Sequence, residues 1–367
     1  MLHLRVSGLR AVLGLALVAT LAACTGLSSG VGTGTAVADD DRVALDAITP
    51  AADPRAIEGE RTAVSVATPV VPVTDSPAPA LPVTVTDAQG TEVTVTDVSR
   101  VLALDLYGST SRIVFELGLG GSVVGRDVSS DFPEIVDQPL VTANGHELNG
   151  EAILELAPTL IITDTTLGPW DTVLQMRDAG IPVVVVDSHR DLDSVGSLIE
   201  QVAAAVGLPD EGAALAARTQ DEIAAVTAEI DRLAPQDPAD RLRVVFLYLR
   251  GQSGVYYMFG AGSGADSLIS ALGGLDVATE TGWQGMRPIT DEGLIAAQPD
   301  LVLVMTKGLE SVGDVDGLLE QLPAVAQTPA GEHRRIVDMA DSQILSFGPT
   351  TAQTLDALAR AFYAEQP

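Results

Sequence analysis

From Val83 onward, apolar positions recur in two alternating rhythms. Val83-Thr84-Val85-Thr86 alternates with period two, turn residues fill Asp87 to Gly90, and the alternation resumes over Glu92 to Thr96, which predicts a β-hairpin. Short, almost wholly apolar runs then follow at Arg100 to Leu106, Ser122 to Gly125, Leu160 to Thr163 and Ile181 to Val186. They alternate with helical patterns at Ser111 to Leu117, Gly150 to Ala157 and Trp170 to Ala179. Continuous apolar runs suit strands buried on both faces, and their alternation with helices predicts an α/β domain. Asp193 to Val206 reads as a helix. A longer amphipathic pattern then runs from about Asp210 to Leu233, with Ala214, Ala217, Ile223, Val226 and Ile230 on one stripe. A second α/β alternation begins at Arg243 to Leu249 and continues through Val255 to Phe259, a helix at Asp266 to Leu272, and strands at Leu301 to Met305 and Ile336 to Asp338. A terminal helix covers about Thr350 to Tyr363.

The two alternations are related. GEAILELAPTLIIT (Gly150 to Thr163) aligns without a gap to DEGLIAAQPDLVLV (Asp291 to Val304), pairing Glu151 with Glu292 and Pro158 with Pro299, and LGLGGSVVG finds an echo in LGGLDVAT. The expected fold class is α/β, with two Rossmann-like lobes joined by a single long helix and a ligand cleft between the lobes. The expected boundaries are a first lobe at 83–207, a connecting helix at 208–236 and a second lobe at 237–367.

Composition narrows the function. The 367 residues suit two domains, and 46% hydrophobic content excludes disorder for most of the chain. A formal charge of −30, with Lys307 the only lysine, excludes nucleic acid or an anionic membrane surface as a partner held by charge. The chain starts with Arg5 and Arg10, an apolar run from Ala11 to Ala19, and Leu21-Ala22-Ala23-Cys24. That run is too short to span a bilayer. The pattern resembles the signal peptide and lipobox of bacterial lipoproteins, which implies a signal at 1–24, acylation of Cys24, and attachment to the extracytoplasmic face of the cell membrane. Cys24 is the only cysteine, so no intramolecular disulfide is available. Residues 25–82, rich in Ala, Thr, Val, Gly, Ser and Pro and without a lasting period, read as a flexible tether.

An exported lipoprotein with two α/β halves and one long connecting helix resembles the helical-backbone class of ABC-importer substrate-binding proteins, which take cobalamin, iron-siderophores or haem. RVLALDLYGSTSRIVFELGLGGSVVGRD (Arg100 to Asp127) and the repeated Glu-helix-Pro-strand unit carry that resemblance. GHELN (Gly145 to Asn149) and FLYLRG (Phe246 to Gly251) look most like haem-binding lipoproteins of actinobacterial haem importers. The resemblance implies haem b as the transported ligand, axial iron ligands at His146 and Tyr248, and delivery to an ABC permease dimer by a monomeric, non-enzymatic carrier. It also implies that Glu151 and Glu292, one per lobe, dock onto the permease. The same fold leaves an iron-siderophore or cobalamin receptor as the alternative.

The residues accord with that chemistry. Haem iron accepts imidazole nitrogen or phenolate oxygen. Phenols ionise near pH 10, and period two places Arg250 on the same strand face as Tyr248, where a guanidinium favours phenolate. Both lie at the carboxyl end of a strand, where open α/β sheets bind ligands. His146 stands in a loop that Asn149 can join to a helix N-terminus. Tyr256, Tyr257, Met258 and Phe259 offer apolar walls, with Tyr256 and Tyr257 as rival ligands, and Trp170 and Trp283 are candidates for the rim. Taken alone, each of these also fits an ordinary core or surface residue. FGAGSGADS (Phe259 to Ser267) fits either a tight turn or an anion-binding loop, and lacks the Lys-Ser/Thr of a P-loop. His189 and His333 read as surface residues. A single cysteine cannot hold an iron-sulfur cluster, and no catalytic triad or carboxylate pair stands out.

Overall fold

A computed structural model describes residues 42–365 apart from 67 and 144. The signal-like start and Cys24 lie outside the described residues. In the first lobe the apolar runs form a parallel sheet of Val101–Leu104, Leu160–Thr163 and Val183–Val185, with Leu160–Thr163 central. All residues of these strands are buried, as runs without polar alternation require. The hairpin Val83–Thr86 with Glu92–Val95 forms with Val83 opposite Val95. The strand expected at Ser122 to Gly125 contracts to one bridge, Val101 to Val123.

The second lobe holds a seven-stranded sheet. Arg61–Ala63, Ile336–Met339, Leu301–Met305 and Arg243–Arg250 run parallel, and Val255–Phe259 and Met286–Pro288 continue it antiparallel. Leu275–Asp276 pairs with the start of Arg243–Arg250. The amphipathic pattern becomes a helix of 25 residues, Pro209–Leu233, opened by Pro209 at its first turn. It packs on Val195–Ala205 of the first lobe and on the terminal helix Thr351–Tyr363 of the second. At Gly212 a Cβ would stand 2.3 Å from that of Ala203, so only glycine permits this approach. One buried apolar cluster consequently runs through both lobes, with Val202, Leu215, Phe246 and Leu355 among its members.

The expected tether at 25–82 is corrected from residue 42 onward, because that stretch is a strap packed on both lobes. Arg61–Ala63 adds a parallel strand to the edge of the second sheet, with Arg61 beside Val337. Ala51 N–H donates to Tyr363 O at 2.8 Å, and Arg61 Nη1 to Ala364 O at 2.7 Å. Farther along, Arg112 of the first lobe donates to Thr68 O and Pro69 O, and Val73 N–H to Glu116 O. Glu116 also pairs with Arg112 and, at 2.7 Å, with Arg218 of the connecting helix. Gly118, at φ +84, lets the strap through: a Cβ there would lie 2.5 Å from Thr74 O. Apart from the short turns Leu45–Ala47 and Pro54–Ala56, the strap has no sequence period because its backbone bonds go to other elements.

At the carboxyl ends of the first lobe's strands, three carboxyls and one guanidinium share a buried network. Arg190 Nη2 meets Asp164 Oδ2 at 2.8 Å and Asp105 Oδ2 at 3.2 Å. Asp127 accepts from the backbone N–H groups of Asp105, Ser129 and Ser130. Burial and then the neighbouring Asp105 push Asp127 up to about 7, and the same two causes push Asp164 to about 6. Unfolded carboxyls titrate near 4, so the folded state binds more protons across this interval. The stability these groups supply is therefore present below about pH 4 and lost as pH rises toward 7. Melting temperature followed from pH 4 to 7 should decline less steeply in Asp127→Asn than in the unsubstituted protein, and equal slopes would contradict the assignment.

Candidate functional site

A cavity of about 450 Å³ opens between the lobes. Val128, Ser129, Asp131, Gly145 and His146 line it from the first lobe; Tyr248, Arg250, Met305, Lys307 and Asp341 are among those lining it from the second. A further hollow continues past His146 and Arg250 toward Glu147, Asn149 and Pro169.

His146 sits at the tip of a two-stranded hairpin in which Thr142–Ala143 pairs with Glu147–Leu148. Gly145 just before it takes φ +90, a conformation that favours glycine. Asn149 then caps the helix Gly150–Glu155, its side chain accepting from the N–H groups of Glu151 (3.1 Å) and Ala152 (3.2 Å). The imidazole is half-buried, and its Nδ1 is enclosed without a hydrogen-bond partner. Burial, followed by the charges of Arg250 and Lys307, lowers its pKa, with Asp341 opposing. The ring is thus held neutral at physiological pH, the form that offers a lone pair to a metal.

Tyr248 comes from the opposite wall. Strand pairing sets it across from Tyr257 and sets Phe246 across from Phe259. Phe246 and Phe259 stack at 4.9 Å, and Tyr248 lies 6.4 Å from Tyr257 and 6.3 Å from Phe259. This ladder holds the phenol ring at the cavity's edge. The Arg250 guanidinium carbon lies 5.5 Å from the Tyr248 ring centroid, over the ring.

The same alternation corrects other expectations. Tyr256 and Met258 point to the opposite sheet face, where Met258 is buried in a separate core cluster and Tyr256 packs on it. The Tyr256 hydroxyl donates to Gln321 Oε1 at 2.8 Å. Tyr257 and Phe259 share the face of Tyr248 but support it without lining the cavity. Trp283 packs on that separate cluster and donates from Nε1 to Met258 O at 3.0 Å. Trp170 packs on the first lobe's core beneath Arg177. Neither tryptophan lines the cavity. Glu151 and Glu292 are both exposed in the first turns of their helices. In FGAGSGADS the N–H groups of Gly262 and Gly264 are taken by the Asp266 carboxylate, which makes it a self-capped turn. His189 contacts Asp191, and His333 lies near Glu58, both away from the cavity. Sequence reasoning missed Lys307 and Asp341 as cavity residues, although Lys307 carried a signal in being the only lysine.

Two α/β lobes, one connecting helix and a cleft lined from both sides define a substrate-binding protein. The family model described as periplasmic binding protein matches residues 105–342, and the chain belongs to that family. Among curated proteins, the uncharacterized ABC transporter substrate-binding lipoprotein YvrC of Bacillus subtilis (strain 168) is 24% identical over 265 residues, covering 71% of this chain and 80% of that protein. Among solved structures, the heme binding protein HmuT is 44% identical with a TM-score of 0.79, covering 85% of this chain and 99% of that one. Its variants with an arginine, a tyrosine or a histidine changed to alanine also match. The apo periplasmic heme-binding protein RhuT from Roseiflexus sp. RS-1 is 40% identical with a TM-score of 0.66, covering 72% of this chain and 98% of that one. The family and these neighbours are substrate-binding transport proteins rather than enzymes.

Trp283→Phe removes the bond to Met258 O and should cost about 1 kcal/mol in urea denaturation. An unchanged stability would show that the bond from Trp283 Nε1 to Met258 O contributes nothing to the second core.

Proposed function

We propose that this chain captures haem b outside the cytoplasmic membrane and delivers it to the permease dimer of an ABC importer. The observation that carries the reading is the presence of His146 and Tyr248, one from each lobe, on the walls of one cavity. One imidazole and one phenol cannot complete the shell of a bare ion. They suit iron whose equatorial positions are already filled by a macrocycle, and phenolate favours the ferric state. Arg250 places positive charge beside the phenol, where ligation puts negative charge. The likeness to HmuT supports this, and its altered tyrosine and arginine stand two positions apart, as Tyr248 and Arg250 do. Exposed Glu151 and Glu292 would dock the lobes onto the permease, and Cys24 would carry the lipid anchor of a monomeric carrier.

Visible absorption titration of the purified protein with ferric haem tests the reading. A saturating one-to-one Soret change is expected. Tyr248→Phe and His146→Ala should each move the band and weaken binding by about tenfold or more, a loss of about 1.4 kcal/mol. No saturable change would overturn the haem reading in favour of a ferric siderophore or cobalamin. Glu151→Arg with Glu292→Arg should leave the titration intact and abolish haem uptake in cells; uptake at the unsubstituted rate would refute the docking role.

A further inference from the structure

In a chain of charge −30, Arg112, Arg177, Arg190, Arg218, Arg243 and Arg360 each meet a carboxylate within the protein, and Arg61, Arg100 and Arg335 donate instead to backbone carbonyls. Among the described residues, the two cations of the cleft have neither kind of partner. Arg250 and Lys307 both line it, and among the described residues neither has a carboxylate within ion-pair distance. Asp131 and Asp341 line the same cavity without pairing with the ammonium group. Asp341 instead accepts the backbone N–H of Lys307 at 3.0 Å, which fixes where the lysine leaves the chain.

That point is the carboxyl end of Leu301–Met305, the strand beside Arg243–Arg250. The next residue, Gly308, lies so close to the Tyr248 strand that a Cβ would stand 3.1 Å from Leu249 O. Lys307 is therefore held tightly at the cavity wall while its side chain stays exposed. Arg250 lies over the Tyr248 ring. Lys307 has no such attachment.

Ferric haem with both propionates ionised is an anion, and a phenolate ligand adds negative charge. Moving such an assembly from water into a cleft is unfavourable unless cations meet it. We propose that Lys307 is a specificity-determining residue that receives a carboxylate of the bound tetrapyrrole, so that the cleft selects a macrocycle with free acid arms over the same macrocycle esterified. This rests on the haem reading of the site.

The test is a Soret titration of the full-length protein, Lys307→Met and Lys307→Arg with ferric haem and with its dimethyl ester in matched detergent. The unsubstituted protein should prefer free-acid haem by about tenfold, the scale of one charge-assisted contact. Lys307→Met should erase the preference while leaving the Soret maximum of the haem complex in place, and Lys307→Arg should retain it. A preference that survives Lys307→Met overturns the proposal, as does a displaced Soret maximum, which would make Lys307 part of iron ligation. If the unsubstituted protein shows no saturable change with free-acid haem, the haem reading itself fails.

Discussion

The burial of one guanidinium, that of Arg190, constrains much of this structure. A fully desolvated cation costs several kcal/mol unless its partners are well placed, and here Asp105 and Asp164 arrive from the ends of adjacent strands while Tyr107 covers it at 5.3 Å. Meeting that demand sets the first lobe's upper edge. Asp105 also accepts from Ser109 and Thr110, which begin the following helix. Asp127 gathers the N–H groups of Ser129 and Ser130, and Ser129 forms part of the cleft wall. The loop carrying Arg190 also reaches the second lobe. Gly264 lies against Arg190 O, where a Cβ would stand at 2.4 Å, and Leu192 N–H donates to Ser267 Oγ. The network that solves a solvation problem inside one lobe thus also sets its contact with the other.

The cleft is supplied by contrasting means. The first lobe presents its imidazole on a hairpin tip, set by a glycine before it and a capped helix after it. The second presents its phenol on a strand whose two faces are buried in different cores. That strand can place a polar ring at its end because the aromatic ladder on one side and the aliphatic cluster on the other leave it little freedom.

Much of this was legible in the sequence wherever an element's own period determines its structure. The all-apolar runs became parallel strands, the long stripe became the connecting helix, and the Glu-helix-Pro-strand repeat appeared once in each lobe. Illegible parts depend on distant partners. Residues 42–82 look featureless because their hydrogen bonds end on Tyr363, Ala364 and Glu116. Tyr256 and Met258 differ from Tyr257 and Phe259 only in parity along a strand, and parity takes meaning from the register with Arg243–Arg250. The uniqueness of Lys307 was visible, whereas its position beside the phenol-bearing strand follows only from the order of strands in the sheet.

The strap has a mechanical meaning. The described chain passes between the lobes once along the strap and again along the connecting helix, and each crossing is fastened at both ends. A body attached to another at one point can swivel in any direction, whereas attachment at two separated points leaves rotation about the line through them. The strap therefore removes directions of swivel that a single connector would leave open, and the contact of the Arg190 loop with Ser267 restricts the lobes further.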